Sequence, residues 1–131
     1  MEQLIEDLRE FAAERDWNQF HTPKNLAMAL SVEVGELVEH FQWLTPEQSK
    51  ALPPRVLEQV RDEIGDVTIY LARLSDVLRI DPLDAARSKL ERNRKRYPVD
   101  KAKGRATKYT ELHASQPEPA APDPGRDEAV K

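Results

Sequence analysis

One five-residue pattern occurs twice in this chain, and both copies sit inside helical periodicity. Glu33-Val34-Gly35-Glu36-Leu37 and Glu63-Ile64-Gly65-Asp66-Val67 each read acid, β-branched, glycine, acid, aliphatic, and they begin 30 residues apart. The apolar residues around them correspond as well: Leu30 with Val60, Val34 with Ile64, Leu37 with Val67, Phe41 with Leu71. A spacing of three puts both acids of a copy on one helix face. Two such helices side by side bring four carboxylates together. A site of that kind calls for a cation, and ligands that are all oxygen suit Mg²⁺.

The surroundings of the acids sharpen this expectation. Glu33 falls in the stripe Leu26, Leu30, Leu37, Phe41, and Glu63 falls among Val56, Val60 and Val67. An unpaired carboxylate on a core-facing side costs several kcal/mol. Two carboxylates 4 Å apart repel by about 4 kcal/mol at an effective dielectric near 20. Either their pKa values rise or a cation neutralises them. A solvated acidic face is the plainer reading of a single pair, but it calls for lysines at i+4, and none lies between Glu33 and Glu39. Glycine inside a helix costs about 1 kcal/mol relative to alanine. Gly35 and Gly65 at equivalent places therefore predict a close approach of helix backbones beside the site.

Helical periodicity runs from residue 2 to about residue 95, with no two-residue alternation that would mark a strand. The first helix is expected over 2–15, with Leu4, Leu8, Phe11 and Ala12 on one face. Thr22-Pro23 reads as an N-cap and first helical position, opening a helix to about Trp43. Thr45-Pro46-Glu47-Gln48 has the form of a capping box on a short turn, cut off by Pro53-Pro54. The third main helix is expected over 54–79. Asp81-Pro82 starts the fourth, which runs to about Arg96 before Pro98. These elements predict an all-α four-helix bundle. Residues 115–131 carry Pro, Ala and acids with no large apolar residue but Val130, so 113–131 is expected to be a disordered tail behind a domain spanning 1–112.

With 131 residues there is room for one domain. The absence of cysteine excludes disulfides, thiolate metal sites and cysteine catalysis, and it fits a cytoplasmic protein. A net charge of −4 gives no overall sign of a nucleic-acid binder. No apolar run is long enough for a membrane span, and the first 30 residues are too charged for a signal peptide. The charge reverses locally: residues 87–108 hold ten Arg or Lys against Glu91 and Asp100. An acidic site beside a basic segment suits a ligand that carries both metal and negative charge, such as a polyphosphate.

Taken together, these residues resemble the MazG-like all-α nucleoside triphosphate pyrophosphohydrolases, and within them the dCTP-hydrolysing branch. The matching text is EFAAERDWNQFHTPKNLAMAL, EVGELVEHFQW, DEIGDVTIYLARL, KLERNRKRYPV and KGRATKYTEL, within residues 4–112. The resemblance implies Mg²⁺-dependent hydrolysis between the α and β phosphates, giving a nucleoside monophosphate and pyrophosphate, with dCTP as the leading substrate. It implies Glu33, Glu36, Glu63 and Asp66 as the metal-binding catalytic set. It places Trp17 and Trp43 beside the base, His21 and Asn25 at base or sugar, and Tyr70 on the deoxyribose. Lys89, Asn93, Arg96 and Tyr97 would reach the phosphates. It also implies a homotetramer built from dimers, and a role in nucleotide-pool control or sanitation. The chain departs from the pattern at Leu8, where dCTP-preferring relatives can carry a histidine.

Two other readings remain open on the residues. One keeps the chemistry and changes the base to dUTP or a modified dNTP. The other is a non-catalytic helical module that binds a partner or nucleic acid through the basic segment 87–108, with a steep salt dependence.

Overall fold

Thr22 and Pro23 do what their types dictate: Thr22 Oγ1 accepts from the Asn25 amide at 3.3 Å, and Pro23 takes the first helical position, where its missing N–H costs nothing. The computed structural model describes residues 1–113. Seven helices form among them: α1 (Glu2–Glu14), α2 (Pro23–Glu39), α3 (Pro46–Ser49), α4 (Pro54–Val77), α5 (Pro82–Arg96), α6 (Val99–Ala102) and α7 (Tyr109–His113). No strand is present among the described residues. The fold is all-α, as the periodicity predicts, and α1, α2, α4 and α5 are its four long helices. The expected tail lies largely outside the described residues.

Local chemistry sets the boundaries. In the capping box on α3, Thr45 Oγ1 accepts from Gln48 N at 3.2 Å and Gln48 Oε1 accepts from Thr45 N at 2.9 Å. Asp81 opens α5 by accepting the amides of Leu83 and Asp84 at 2.8 and 3.0 Å. α1 and α4 both end in Schellman turns. After α1, Trp17 N donates to Ala12 O and Asp16 N to Ala13 O, with Asp16 at φ 54°. After α4, Ile80 N donates to Ser75 O and Arg79 N to Asp76 O, with Arg79 at φ 57°. Both follow the double hydrogen-bond pattern of that motif, without the glycine that usually relieves it.

The chain divides into two compact units, Met1–Ala86 and the part beginning at Arg87. In the first unit α4 is the central element, packed along α2 and against α1. The buried apolar residues there are Ala12, Leu26, Val60 and Ala72, joined by the polar side chains of Arg73 and Ser75. This core is small. Met28, Val32, Val34, Val38, Leu57 and Ile64 of α2 and α4 remain exposed. In the second unit, the Tyr97 and Tyr109 rings meet edge to face at 6.3 Å, and the Arg96 guanidinium lies 5.5 Å from the Tyr109 ring.

One expectation is corrected. A Cβ built at Gly35 or at Gly65 meets nothing within 4 Å, so neither glycine marks a close backbone approach inside the chain. Each stands next to an exposed residue, Val34 or Ile64, on the outward side of its helix.

Candidate active site

The paired helices α2 and α4 bring the two acid pairs together. Glu33, Glu36 and Glu63 each offer a carboxylate oxygen, and the three oxygens lie within 4.8 Å of one another. Glu33 and Glu63 are half-buried, whereas Glu36 and Asp66 are exposed, so only the first acid of each pair sits toward the core. Glu33 carries the strain. Burial pushes its carboxyl above the ordinary value, and the charges of Glu36, Asp66 and Glu63 push it in the same direction. Asp66 is thus electrostatically coupled to the cluster without belonging to its tightest group.

The donor set fits a hard cation. It is made of carboxylate oxygens, and among the described residues no Lys or Arg pairs with any of the four acids. His40 approaches the cluster, with its Nε2 3.6 Å from Glu63 Oε1. His40 follows Glu33 by seven residues on the same helical face, a spacing that could have drawn attention to it in the sequence.

Beside this cluster, the first unit holds a cavity of about 370 Å³ between α1, the α1–α2 loop, the start of α2 and α4. Trp17, His21, Tyr70 and Asp66 line it, four of the residues singled out from the sequence. The Schellman turn at Asp16 folds Trp17 back on α1, where its ring stands edge-on to Phe11 at 5.6 Å and to His21 at 6.1 Å. Leu8, the point of departure from the family pattern, also lines the cavity, as do Asp7 and Arg73, which the sequence did not mark as site residues.

The other expected residues have different positions. Asn25 turns its amide to Phe20 O at 3.0 Å, bracing the loop, and is absent from the cavity wall. Trp43 is 86% exposed and likewise lies off that wall. Lys89, Asn93, Arg96 and Tyr97 belong to the second unit. Lys89 and Arg96 are exposed and Asn93 is half-buried.

Comparison with known proteins agrees with this architecture. The MazG-like family model matches residues 28–112. dCTP pyrophosphatase 1 of Bos taurus is 47% identical, over 85% of this chain and 69% of its own length. The Homo sapiens protein of the same name has the same identity and coverage. The crystal structure of a pyrophosphatase from Archaeoglobus fulgidus DSM 4304 superimposes with a TM-score of 0.67 at 46% identity, covering 75% of this chain and 92% of that one. The chain belongs to the MazG-like family.

Proposed function

We propose that this chain hydrolyses a deoxynucleoside triphosphate, dCTP foremost, to the monophosphate and pyrophosphate, with Mg²⁺ held by Glu33, Glu36, Glu63 and Asp66. The observation that carries this reading is the double membership of Asp66. It lines the cavity that can take a base and sugar, and its charge acts on the acid cluster. A nucleotide lying in the cavity would direct its phosphates toward the carboxylates. The names of the relatives, dCTP pyrophosphatase 1, support the substrate class.

Bound Mg²⁺ would neutralise charge on the phosphate oxygens and lower the pKa of an attacking water. The chain's own groups do the rest. Trp17 offers a flat apolar face to the base, worth about 1–3 kcal/mol per stacked base in nucleic-acid proteins. Tyr70 packs against the deoxyribose, where a 2′-hydroxyl would crowd it. Glu33 or Glu36 takes the proton from the water that attacks phosphorus as the bond between the α and β phosphates breaks. Lys89, Arg96, Asn93 and Tyr97 carry the donors a polyphosphate takes. Asn25 supports the loop bearing His21, and Trp43 provides a second aromatic surface. We take 1–112 as the working domain and the cytoplasm as its place of action.

The apolar residues of α2 and α4 that stay exposed among the described residues support self-association, which we take to be a homotetramer built from dimers. Control of the dCTP pool or removal of modified nucleotides follows from such an activity. The test is pyrophosphate release from each dNTP and NTP with Mg²⁺, beside Glu63→Gln. Release greatest from dCTP and lost in the variant supports the assignment. Release greatest from dUTP moves the base, an outcome that Leu8 in the cavity wall would accommodate. A folded protein that releases none from any nucleotide overturns the enzyme reading and favours the binding module.

A further inference from the structure

Arg73 has no part in the chemistry above, yet it is only 8% exposed and its guanidinium is engaged on all three nitrogens. Nη1 donates to Asp76 Oδ2 at 2.8 Å, Nη2 to Asn18 Oδ1 at 2.6 Å, and Nε to His21 Nδ1 at 3.1 Å. Asp76 is gripped in turn by Arg9 of α1, whose Nε donates to both carboxylate oxygens at 3.0 and 3.1 Å. The fork is therefore fixed by α4 behind it, by the loop in front of it, and through Asp76 by α1.

The contact with His21 has a chemical consequence. A guanidinium N–H is not given up in a protein, so the Nδ1 that accepts from it must present its lone pair. A neutral imidazole with a bare Nδ1 carries its proton on Nε2. Loss of solvent and the charge of Arg73 both lower the His21 pKa, which keeps the ring neutral. Among the described residues, none accepts from that Nε2–H. The ring lines the cavity next to Trp17.

We propose that Arg73 is a positioning residue that fixes His21 as a neutral Nε2–H donor at the cavity, and that this donor meets a hydrogen-bond acceptor on the nucleobase. The assignment rests on the reading that a nucleotide base occupies the cavity. It gives the Arg73, Asn18 and Asp76 network a function beyond holding helices together: the network sets which way the pocket's imidazole is polarised.

The experiment is long-range ¹H–¹⁵N spectroscopy of the full chain labelled at histidine, with the His21 resonances assigned as those lost in His21→Gln. The expected spectrum shows a pyridine-type Nδ1 and a protonated Nε2, and millimolar dCMP, added without metal, moves the Nε2 resonance. Arg73→Lys keeps a cation opposite Asp76 but loses the three-way fork. It is expected to return His21 to a mixture of tautomers and to raise KM for dCTP about tenfold while kcat falls less than about threefold, the size of one lost hydrogen bond in substrate binding. A proton on Nδ1 in the parent protein overturns the proposal. So does an Nε2 resonance indifferent to dCMP, or a folded Arg73→Lys variant with the parent's tautomer and KM. The parent spectra decide the matter even if the variant fails to fold. The two readings also separate. The expected tautomer and dCMP response without pyrophosphate release would remove the hydrolase and keep the donor, and release with Nδ1 protonated would do the reverse.

Discussion

Glu33 and Asp76 are carboxylates displaced in opposite directions, and each makes a pH-dependent contribution to stability. Glu33 is raised by burial and by neighbouring acids, so its ionisation weighs on the folded state above its folded pKa, and the penalty lifts as pH falls through that value. In metal-free buffer at neutral pH, Glu33→Gln should raise Tm by a few degrees while dCTP hydrolysis collapses. Mg²⁺ should raise Tm of the parent more than that of the variant, a comparison calorimetry can make. Asp76 is lowered first of all by its hydrogen bond from Arg9, with Arg73 adding to the shift against the opposing effect of burial. Its stabilisation is complete above the ordinary aspartate range and is lost as pH falls through the folded value. Asp76→Asn should cost about 1–3 kcal/mol near neutrality, the size expected for losing charge-assisted hydrogen bonds at a half-buried site, and the gap to the parent in urea melts should narrow in acid. The gathering of Glu33, Glu36 and Glu63 was legible in the sequence because the acids repeat on a helical period, which does not by itself set Asp66 apart from that tight group. Arg73 was not, because an arginine between Leu71 and Leu74 reads as a solvated position. Its partners His21 and Asn18 lie 52 and 55 residues away.

Among the elements, the turn after α1 couples backbone geometry to the cavity. Asp16 occupies the left-handed region at φ 54°, and the hydrogen bond from Trp17 N to Ala12 O aims the indole at Phe11. A β-branched residue tolerates that conformation poorly. Asp16→Val should lose about 1–2 kcal/mol and weaken dCTP binding, read as a lower Tm together with a higher KM. The helix starts were legible from Thr-Pro, the capping box and Asp81-Pro82, since each supplies a side-chain acceptor or a preset φ. The ends were less so. The periodicity carries α2 to Trp43, but the helix closes at Glu39, and Phe41 N and Leu44 N then bond three residues back, to Val38 O and Phe41 O. That tightening is a matter of hydrogen-bond geometry, which leaves no mark on an apolar pattern.

The whole molecule has an acid cluster in its first unit, a basic second unit, and more apolar surface than its small core accounts for. Light scattering on the eluting protein should give four times the chain mass. A charge at Val34 or Ile64, such as Ile64→Lys, should shift the population to smaller species. The pairing of α2 with α4 was legible, because the repeat itself specifies two matched faces. The cavity wall was legible only in part, since Asp7 and Arg73 enter it through the packing of α1 on α4. The two tryptophans add an optical property to this arrangement. Trp17 is 43% exposed against aromatic neighbours and Trp43 is 86% exposed. The chain thus carries two fluorophores in unlike surroundings, and Trp17 should emit to the blue of Trp43 and be the less open of the two to collisional quenchers. A nucleotide entering the cavity should dim the first and leave the second as an internal reference, so occupancy becomes a ratio of two emissions from unlabelled protein.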